Sequence, residues 1–291
     1  MAILNFGSLN IDHVYQVDHF VRPGETLPSR SYQRFPGGKG FNQSIALARA
    51  GVPVHHAGKV GEDGVWLRDM LNAEGAEASR VEVIDEPTGH AIIQVTPSGE
   101  NAIVIHGGAN RAITQTDAQR VLAGFGAGDW LLLQNEISAM PEIMALARAQ
   151  GMEIAFNPAP MQSQVLEYPL QHVSIFFVNE TEGADLTGET SPSRILAGMR
   201  NMFPRAATVL TLGEDGAIYV DGEREVHAPA RQVTPVDTTA AGDTFIGYFL
   251  AAWTTGASPE AALDLATRAA AICVTRPGAA PSIPRRGEVM G

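Results

Sequence analysis

The sequence contains a single cysteine, Cys273, among 291 residues. No disulfide can form within the chain, and that scarcity fits a reducing compartment. No uninterrupted apolar run approaches the length needed to span a bilayer. The first residues, Met1-Ala2-Ile3-Leu4-Asn5-Phe6-Gly7, lack the basic start and apolar core of a secretory leader. Basic residues are also in short supply. Lys and Arg number 20 against 32 Asp and Glu, a formal net charge of −12. With no basic run interleaved with aromatics, a nucleic-acid backbone is excluded as the expected partner. These absences predict a cytoplasmic protein that engages neither membrane nor nucleic acid.

Several chemical signatures are missing as well. Lys39 is followed by Gly40, so the GxxxxGK[ST] phosphate loop fails. No GxGxxG follows the first predicted strand, which argues against a dinucleotide-binding oxidoreductase. There is no GxSxG nucleophile elbow. His55-His56 and the other histidines lack HExxH-type metal spacing and read as structural or surface residues. Cys273 lies in the apolar run Ala269-Ala270-Ala271-Ile272-Cys273-Val274 and reads as core.

What remains has ordinary globular composition, 45% hydrophobic and 18% charged, and enough length for a substantial core. Residues 2–8 read as a short buried strand ending in turn chemistry. Segments 13–20 and 30–36 read as short strands around the turn-rich link 22–26. Ser44–Gly51 reads as a helix with a glycine stop. Val54–Val60 is a predicted strand, Gly64–Glu74 a helix and Val81–Ile84 a strand. Residues 91–95 and 101–105 flank a turn and predict a hairpin. Buried-strand runs at Asp129–Gln134, Glu153–Asn157, Ser174–Asn179 and Ala207–Leu212 are separated by helical patterns at 139–149, 180–187 and 193–202. This alternation predicts an α/β fold, an αβα sandwich with a mostly parallel central sheet. No repeat, low-complexity tract or linker divides the chain, so residues 1–291 are expected to form one domain.

The stretch Pro235-Val236-Asp237-Thr238-Thr239-Ala240-Ala241-Gly242-Asp243-Thr244-Phe245 leads into an apolar helical run. A helix N-terminus exposes unpaired N–H groups and the positive end of its dipole, so it attracts anions. Ala240, Ala241 and Gly242 would let a phosphate approach the backbone. Asp243 is either an ordinary N-cap or a base that takes a proton from an attacking hydroxyl. A second glycine-rich helix entry, Pro36-Gly37-Gly38-Lys39-Gly40-Phe41-Asn42-Gln43, is either a simple turn or a backbone platform with Lys39 and Asn42 as donors.

Further polar residues follow the predicted strands: Asn10 and Asp12, Asn135-Glu136, Asn157, Asn179-Glu180-Thr181-Glu182, and Thr211-Leu212-Gly213. In a parallel sheet these strand ends share one rim, where ligands gather. Asn179 and Thr181 could equally cap a helix, and Gly213 and Gly216 could close a hairpin into Ala217–Val220. Asn179 and Glu182, three residues apart, could also share one face and hold the waters of Mg²⁺.

Taken together, Gly7-Ser8-Leu9-Asn10-Ile11-Asp12, Gly37–Gln43, Asn157-Pro158-Ala159-Pro160, Asn179-Glu180-Thr181-Glu182, Thr211-Leu212-Gly213 and Asp237–Phe245 resemble the ribokinase-like carbohydrate kinases, from about Gly7 to Pro284. The resemblance implies an αβα domain with a small β-sheet lid, here from 13–35 and 89–106, through which homodimers often form. It implies an ATP-dependent transfer to a sugar hydroxyl, with D-ribose to D-ribose 5-phosphate as the expected reaction. Asp243 would be the base, with Ala240, Ala241 and Gly242 as the anion hole. Asn10, Asp12, Gly38, Lys39, Asn42 and Glu136 would bind the sugar. Asn179, Thr211, Gly213, Gly216, Gly242 and Thr267 would surround ATP, with Asn179 and Glu182 near Mg²⁺. Asp237, Thr239, Cys273, Arg276, Gly278 and Ser282 would line an activating K⁺ site.

Two features depart from that pattern. Phe41 replaces a small residue, and its ring would narrow the sugar pocket or change its preference, which keeps another small sugar or a nucleoside in view. The chain also lacks the terminal helix expected after Arg285-Arg286. A sugar- or nucleotide-binding regulator without catalysis is the rival of a different class, and Asp243 argues against it, because binding alone needs no base.

Overall fold

Apolar side chains on both faces of successive short strands require cover on both sides, and the fold supplies it. The computed structural model describes residues 1–222 and 224–291. The first half runs β1 (Ile3–Phe6), β2 (Asn10–Gln16), β3 (Ser31–Gly37), α1 (Lys39–Arg49), β4 (Val54–Val60), α2 (Val65–Ala73), β5 (Glu77–Val83), β6 (Gly89–Val95), β7 (Asn101–His106) and α3 (Gln115–Leu122). It continues with β8 (Trp130–Gln134), α4 (Met140–Ala149), β9 (Glu153–Asn157), β10 (Ile175–Asn179), α5 (Glu180–Thr187) and α6 (Pro192–Met202). Last come β11 (Ala207–Thr211), β12 (Ala217–Asp221), β13 (Arg224–Ala228), α7 (Ala241–Thr254), α8 (Pro259–Val274) and α9 (Arg286–Met290).

Among the described residues, nine strands form the central sheet in the order β13-β12-β11-β10-β9-β8-β1-β4-β5. Pairing is parallel from β11 to β5, while β12 runs antiparallel to β11 and to β13. Strand side chains alternate between faces. Ile3, Leu132, Ala155, Phe177 and Val209 pack with α1, α2, α7 and α8. Leu4, Phe6, Leu131, Leu133, Phe156, Phe176 and Leu210 pack on the other face with α3, α4, α5 and α6. Each such buried Leu or Phe contributes about 1.5–3 kcal/mol. The αβα sandwich is therefore present as expected.

A second sheet of four strands, β3-β2-β6-β7, stands apart from the first. Its segments overlap the expected 13–35 and 89–106 but begin at Asn10 and end at Gly37, so Asn10 and Asp12 sit within β2 itself. Three further differences from the sequence expectations have local causes. The helix expected from Ser44 starts five residues earlier at Lys39, because Gly38 (φ 93°) turns the chain directly into it. The strand expected from Val81 begins at Glu77, since pairing with β4 runs through the irregularity between His55 and Ala57. A short terminal helix, α9, does form, closed by Glu288 accepting from the Arg285 backbone N–H at 2.7 Å.

Candidate active site

The N-terminus of α7 is an open helix end. Ala240, not Asp243, is the N-cap, held in the left-handed region (φ 61°, ψ 10°) with no side-chain capping bond. Such a conformation costs a non-glycine residue about 1–2 kcal/mol and concentrates at functional sites. Asp243 occupies the first turn of the helix. Among the described residues, the Gly242 and Asp243 N–H groups have no backbone acceptor, so they are free to receive an anion. A Cβ on Gly242 would meet nothing within 4 Å.

Two clefts meet at this helix end. One of about 220 Å³ is lined by Lys39, Asn157, Asn179, Glu182, Ala240, Ala241, Gly242 and Asp243, among others. The other, about 430 Å³, is lined by Gly213, Gly216, Val233, Phe245, Thr267 and Val274, and shares Thr211, Thr238, Ala241 and Gly242 with the first.

Asp243 is 7% exposed, and both its oxygens are engaged. Asn42 Nδ2 donates to Oδ2 at 3.0 Å, and Gln43 Nε2 donates to Oδ1 at 2.9 Å. Both donors reach it because α1 lies over β1, where Gly40 admits a close approach: a Cβ there would stand 2.6 Å from Gly7 backbone atoms. Behind Gln43 lies a run of buried carboxamides. Gln134 Nε2 donates to Gln43 Oε1 (2.7 Å) and to Asn5 Oδ1 (3.0 Å). Asn5 Nδ2 donates to Gly40 O and Ser44 Oγ, both at 2.8 Å. The motif reading passed over Gln43, Gln134 and Asn5 as site residues. For Asn5 and Gln134 the signal is a polar side chain at a buried position of an otherwise apolar strand; Gln43 is its counterpart on α1.

The expected sugar-binding residues gather around the junction of β2 and α1. Glu136 Oε2 accepts from the Lys39 N–H at 2.9 Å and from Ser8 Oγ. Asn10 Oδ1 accepts from Asn110 Nδ2 at 2.8 Å. Burial, with the Glu136 charge adding to it, pushes the Asp12 carboxyl up to about 6. Burial alone would lower the Lys39 ammonium, but the Asp243, Glu136 and Glu182 carboxylates outweigh it and raise it. Lys39 therefore stays charged. Lys39 and Asp243 line the smaller cleft, whereas Asn10, Asp12 and Glu136 line neither.

Asn179 does cap α5, in a reciprocal box. Its Oδ1 accepts from Glu182 N at 2.8 Å, and Glu182 Oε2 accepts from Asn179 N at 3.0 Å. Both residues also line the smaller cleft. Burial raises the Glu182 carboxyl despite that backbone bond and the nearby Lys39. Gly213 and Gly216 do close the β11–β12 connection, with Leu212 N donating to Gly216 O at 2.8 Å. For these residues the structural and ligand-facing readings coexist.

In the set expected around a monovalent cation, Asp237 Oδ1 accepts from Thr239 N and Oγ1, and Oδ2 accepts from Gly278 N at 2.8 Å. Burial would raise the Asp237 carboxyl, yet those donors hold it below its usual value. Its partners are all neutral, so a cation fits the uncompensated charge. Cys273 Sγ lies 3.0 Å from Ser282 Oγ and 3.7 Å from Thr239 O, and burial pushes its thiol up. The Arg276 side chain turns away to Glu288 at 2.5 Å, leaving only its backbone to the site.

Phe41 is fully buried and belongs to the apolar core on the α1 face; like Asn10, Asp12, Gly38, Asn42 and Glu136, it lines neither cleft.

Comparison with known proteins agrees with this geometry. The model of the pfkB family carbohydrate kinases matches residues 2–286. Ribokinase of Haemophilus influenzae is 36% identical over 293 residues, covering 98% of this chain and 95% of its own. Among solved structures, Arabidopsis thaliana ribokinase complexed with ribose and ATP superposes with a TM-score of 0.89 at 30% identity, covering 99% of this chain and 97% of its own. Cryptococcus neoformans ribokinase in complex with ADP gives 0.87 at 34% identity, covering 99% and 98%. Matched over nearly its whole length, the chain belongs to the pfkB family of carbohydrate kinases.

Proposed function

We propose that the chain phosphorylates D-ribose at the expense of ATP, giving D-ribose 5-phosphate. The observation that carries this reading is Asp243, a buried carboxylate beside unpaired helix N–H groups, where two clefts meet. Relatives named ribokinase support ribose as the sugar.

Asp243 accepts the proton of the attacking hydroxyl as the new O–P bond forms and the bond to the leaving ADP breaks. The Gly242 N–H, with that of Asp243 beside it and Ala240 and Ala241 shaping the turn, receives the charge on the transferring phosphoryl group. Asn10, Asp12, Gly38, Lys39, Asn42 and Glu136 hold the sugar hydroxyls, and many polar partners give discrimination that an apolar pocket cannot. Thr211, Gly213, Gly216 and Thr267 line the larger cleft as the nucleotide site, with Asn179 in the smaller cleft that adjoins it. Asn179 and Glu182 would hold Mg²⁺ through water, supplying charge neutralisation at the phosphates. Asp237, Thr239, Cys273, Gly278, Ser282 and the Arg276 backbone would hold K⁺, an electrostatic neighbour of the anion hole.

Residues 1–291 act as one domain in this reading, and the four-stranded sheet is its lid, bringing Asn10 and Asp12 over the sugar. The edge strand β7 exposes Ile103, Val104 and Ile105 at 50%, 70% and 66%, which favours a homodimer through that sheet. Use of ATP and the lone cysteine favour the cytoplasm. Among the described residues, no helix is long and apolar enough to cross a membrane.

The test is Asp243→Asn, which should lower turnover by roughly 10²–10⁴-fold while sparing ATP binding. ADP release is read across ribose, 2-deoxyribose, other small sugars and nucleosides. Full activity in the variant would remove Asp243 as the base. No turnover with any acceptor would favour a binding protein.

A further inference from the structure

Gln43 is fully buried, lines neither cleft, and reaches the site by donating to Asp243 Oδ1 at 2.9 Å and, at the longer distance of 3.5 Å, to Asn157 Oδ1. We infer that Gln43 is a positioning residue for phosphoryl transfer, fixing the Asp243 carboxylate by a charge-assisted hydrogen bond while Gln134 and Asn5 fix Gln43 itself. This inference rests on Asp243 acting as the base.

Donor and acceptor chemistry settles every amide in the run. Asn5 Nδ2 is committed to Gly40 O and Ser44 Oγ, so Asn5 Oδ1 must face Gln134. Gln134 Nε2 then spends its two hydrogens on Asn5 Oδ1 and Gln43 Oε1. With its oxygen so occupied, Gln43 can only present Nε2 to Asp243 Oδ1, at 2.9 Å. Flipping the Gln43 amide would set oxygen against carboxylate and nitrogen against nitrogen. The direction therefore runs from the Gly40 backbone to the carboxylate without an ambiguous link.

Asn5, Gln43 and Gln134 are all 0% exposed. In such surroundings a polar network is costly wherever it is incomplete, and Gln134 Oε1 has no partner. An apolar side chain at 134 would serve packing better. The cost makes sense if the network serves Asp243. Asn42 holds the other oxygen at 3.0 Å, so the carboxylate cannot rotate, and its remaining lone pairs face the smaller cleft.

The experiment compares Gln43→Met, Gln43→Glu, Gln134→Leu and Asp243→Asn by pH-dependent steady-state kinetics, with unfolding midpoints recorded alongside. Gln43→Met should lower kcat about 10–100-fold, the worth of one hydrogen bond to a charged group. KM for sugar and for ATP should stay within about threefold, and the acid limb of kcat/KM should move to higher pH. Gln43→Glu sets a second carboxylate against the first, and should move that limb further. Gln134→Leu should shift it in the same direction by less, and carries the test alone if the Gln43 variants do not fold. A merely structural role would lower the unfolding midpoint and leave the limb in place. An inactive Asp243→Asn beside folded Gln43 and Gln134 variants with wild-type pH profiles would overturn this inference and spare the base. A fully active Asp243→Asn would overturn both.

Discussion

Gly247 of α7 meets Ala46 of α1 with no space for a methyl group. A Cβ on Gly247 would overlap that of Ala46 and stand 3.0 Å from Leu47 N. Each residue lies one helical turn after a member of the site, Ala46 after Asn42 and Gly247 after Asp243, so each pair shares a helix face. This tight contact of the two helices is thus one turn away from the Asn42–Asp243 hydrogen bond of 3.0 Å. The spacing of α1 and α7 and the Asn42–Asp243 hydrogen bond therefore depend on one contact.

Gly247→Ala should therefore damage both stability and turnover. Forcing a methyl into this seam costs about 1–3 kcal/mol, because backbone on the α1 side must move with it. Urea unfolding would measure the loss. Kinetics should show kcat falling more than KM changes, since Asn42 and Gln43 withdraw from Asp243 together. A destabilised variant with wild-type kcat would separate the seam from the site.

Gly37→Ala addresses the sugar side. A Cβ at Gly37 would stand 2.6 Å from Asp12 Cγ, a contact that only displacement of the carboxylate can relieve. Asp12 pairs with Phe35 on the neighbouring strand β3, so its backbone is held and the side chain must turn. The expected result is a sugar KM raised about tenfold or more, as for loss of one hydrogen bond to a charged group, with ATP KM unchanged. Equal changes in both would place Asp12 away from the sugar.

Much of this was legible in the sequence, and the exceptions have physical reasons. Continuous apolar runs marked the parallel strands because both faces are buried, and Gly242-Asp243-Thr244 marked the right helix end. The helix cap was misread because Ala240 adopts a left-handed conformation that its residue type does not announce. The burial of Phe41 was hidden because the helix that carries its ring into the core starts at Lys39 rather than Ser44. Gln43, Gln134 and Asn5 sit 91 and 129 residues apart along the two bonds that join them through Gln134. No local pattern brings such residues together; only the order of β8 beside β1 does. The β12–β13 hairpin went unforeseen beyond Ala217–Val220, because β13 is short and largely exposed and carries little hydrophobic pattern.

Asp237 makes a separate prediction. Its carboxylate ties the 237–239 turn to Gly278 and has only neutral partners. If it serves a cation, replacing K⁺ by a bulky organic cation should lower turnover of the wild-type enzyme several-fold. Asp237→Asn should remove the difference between the two salts, since the charge that distinguishes them is gone. Initial rates at constant ionic strength read both. Equal wild-type rates in the two salts would leave Asp237 as a turn residue alone.

Asp12 links pH to both stability and binding, in opposite senses. Its carboxyl titrates near 6 in the folded protein against 3.8 for the ordinary group, chiefly through burial. Below 3.8 it is protonated in folded and unfolded chains alike and contributes no difference. As pH rises toward 6 the unfolded chain ionises first, so Asp12 progressively destabilises the free enzyme, and the effect is complete above that value. The magnitude is on the order of 1–3 kcal/mol. Asp12→Asn should accordingly raise the unfolding free energy at pH 7 but not at pH 3.5, read as the difference from wild type so that other carboxylates cancel. If Asp12 holds the sugar, hydroxyls donating to the ionised carboxylate reverse the balance, because they bind the form that burial disfavours. Sugar affinity in the wild type should fall about tenfold per pH unit below about 6, a dependence Asp12→Asn loses together with most of its affinity. Calorimetric titration with ribose across pH 5 to 8 would follow it. An Asn variant more stable than wild type yet unable to be stabilised further by ribose would mean that the fold tolerates an unfavourable buried charge for the sake of its ligand. A variant bound and stabilised by ribose as well as the wild type would remove Asp12 from the sugar site.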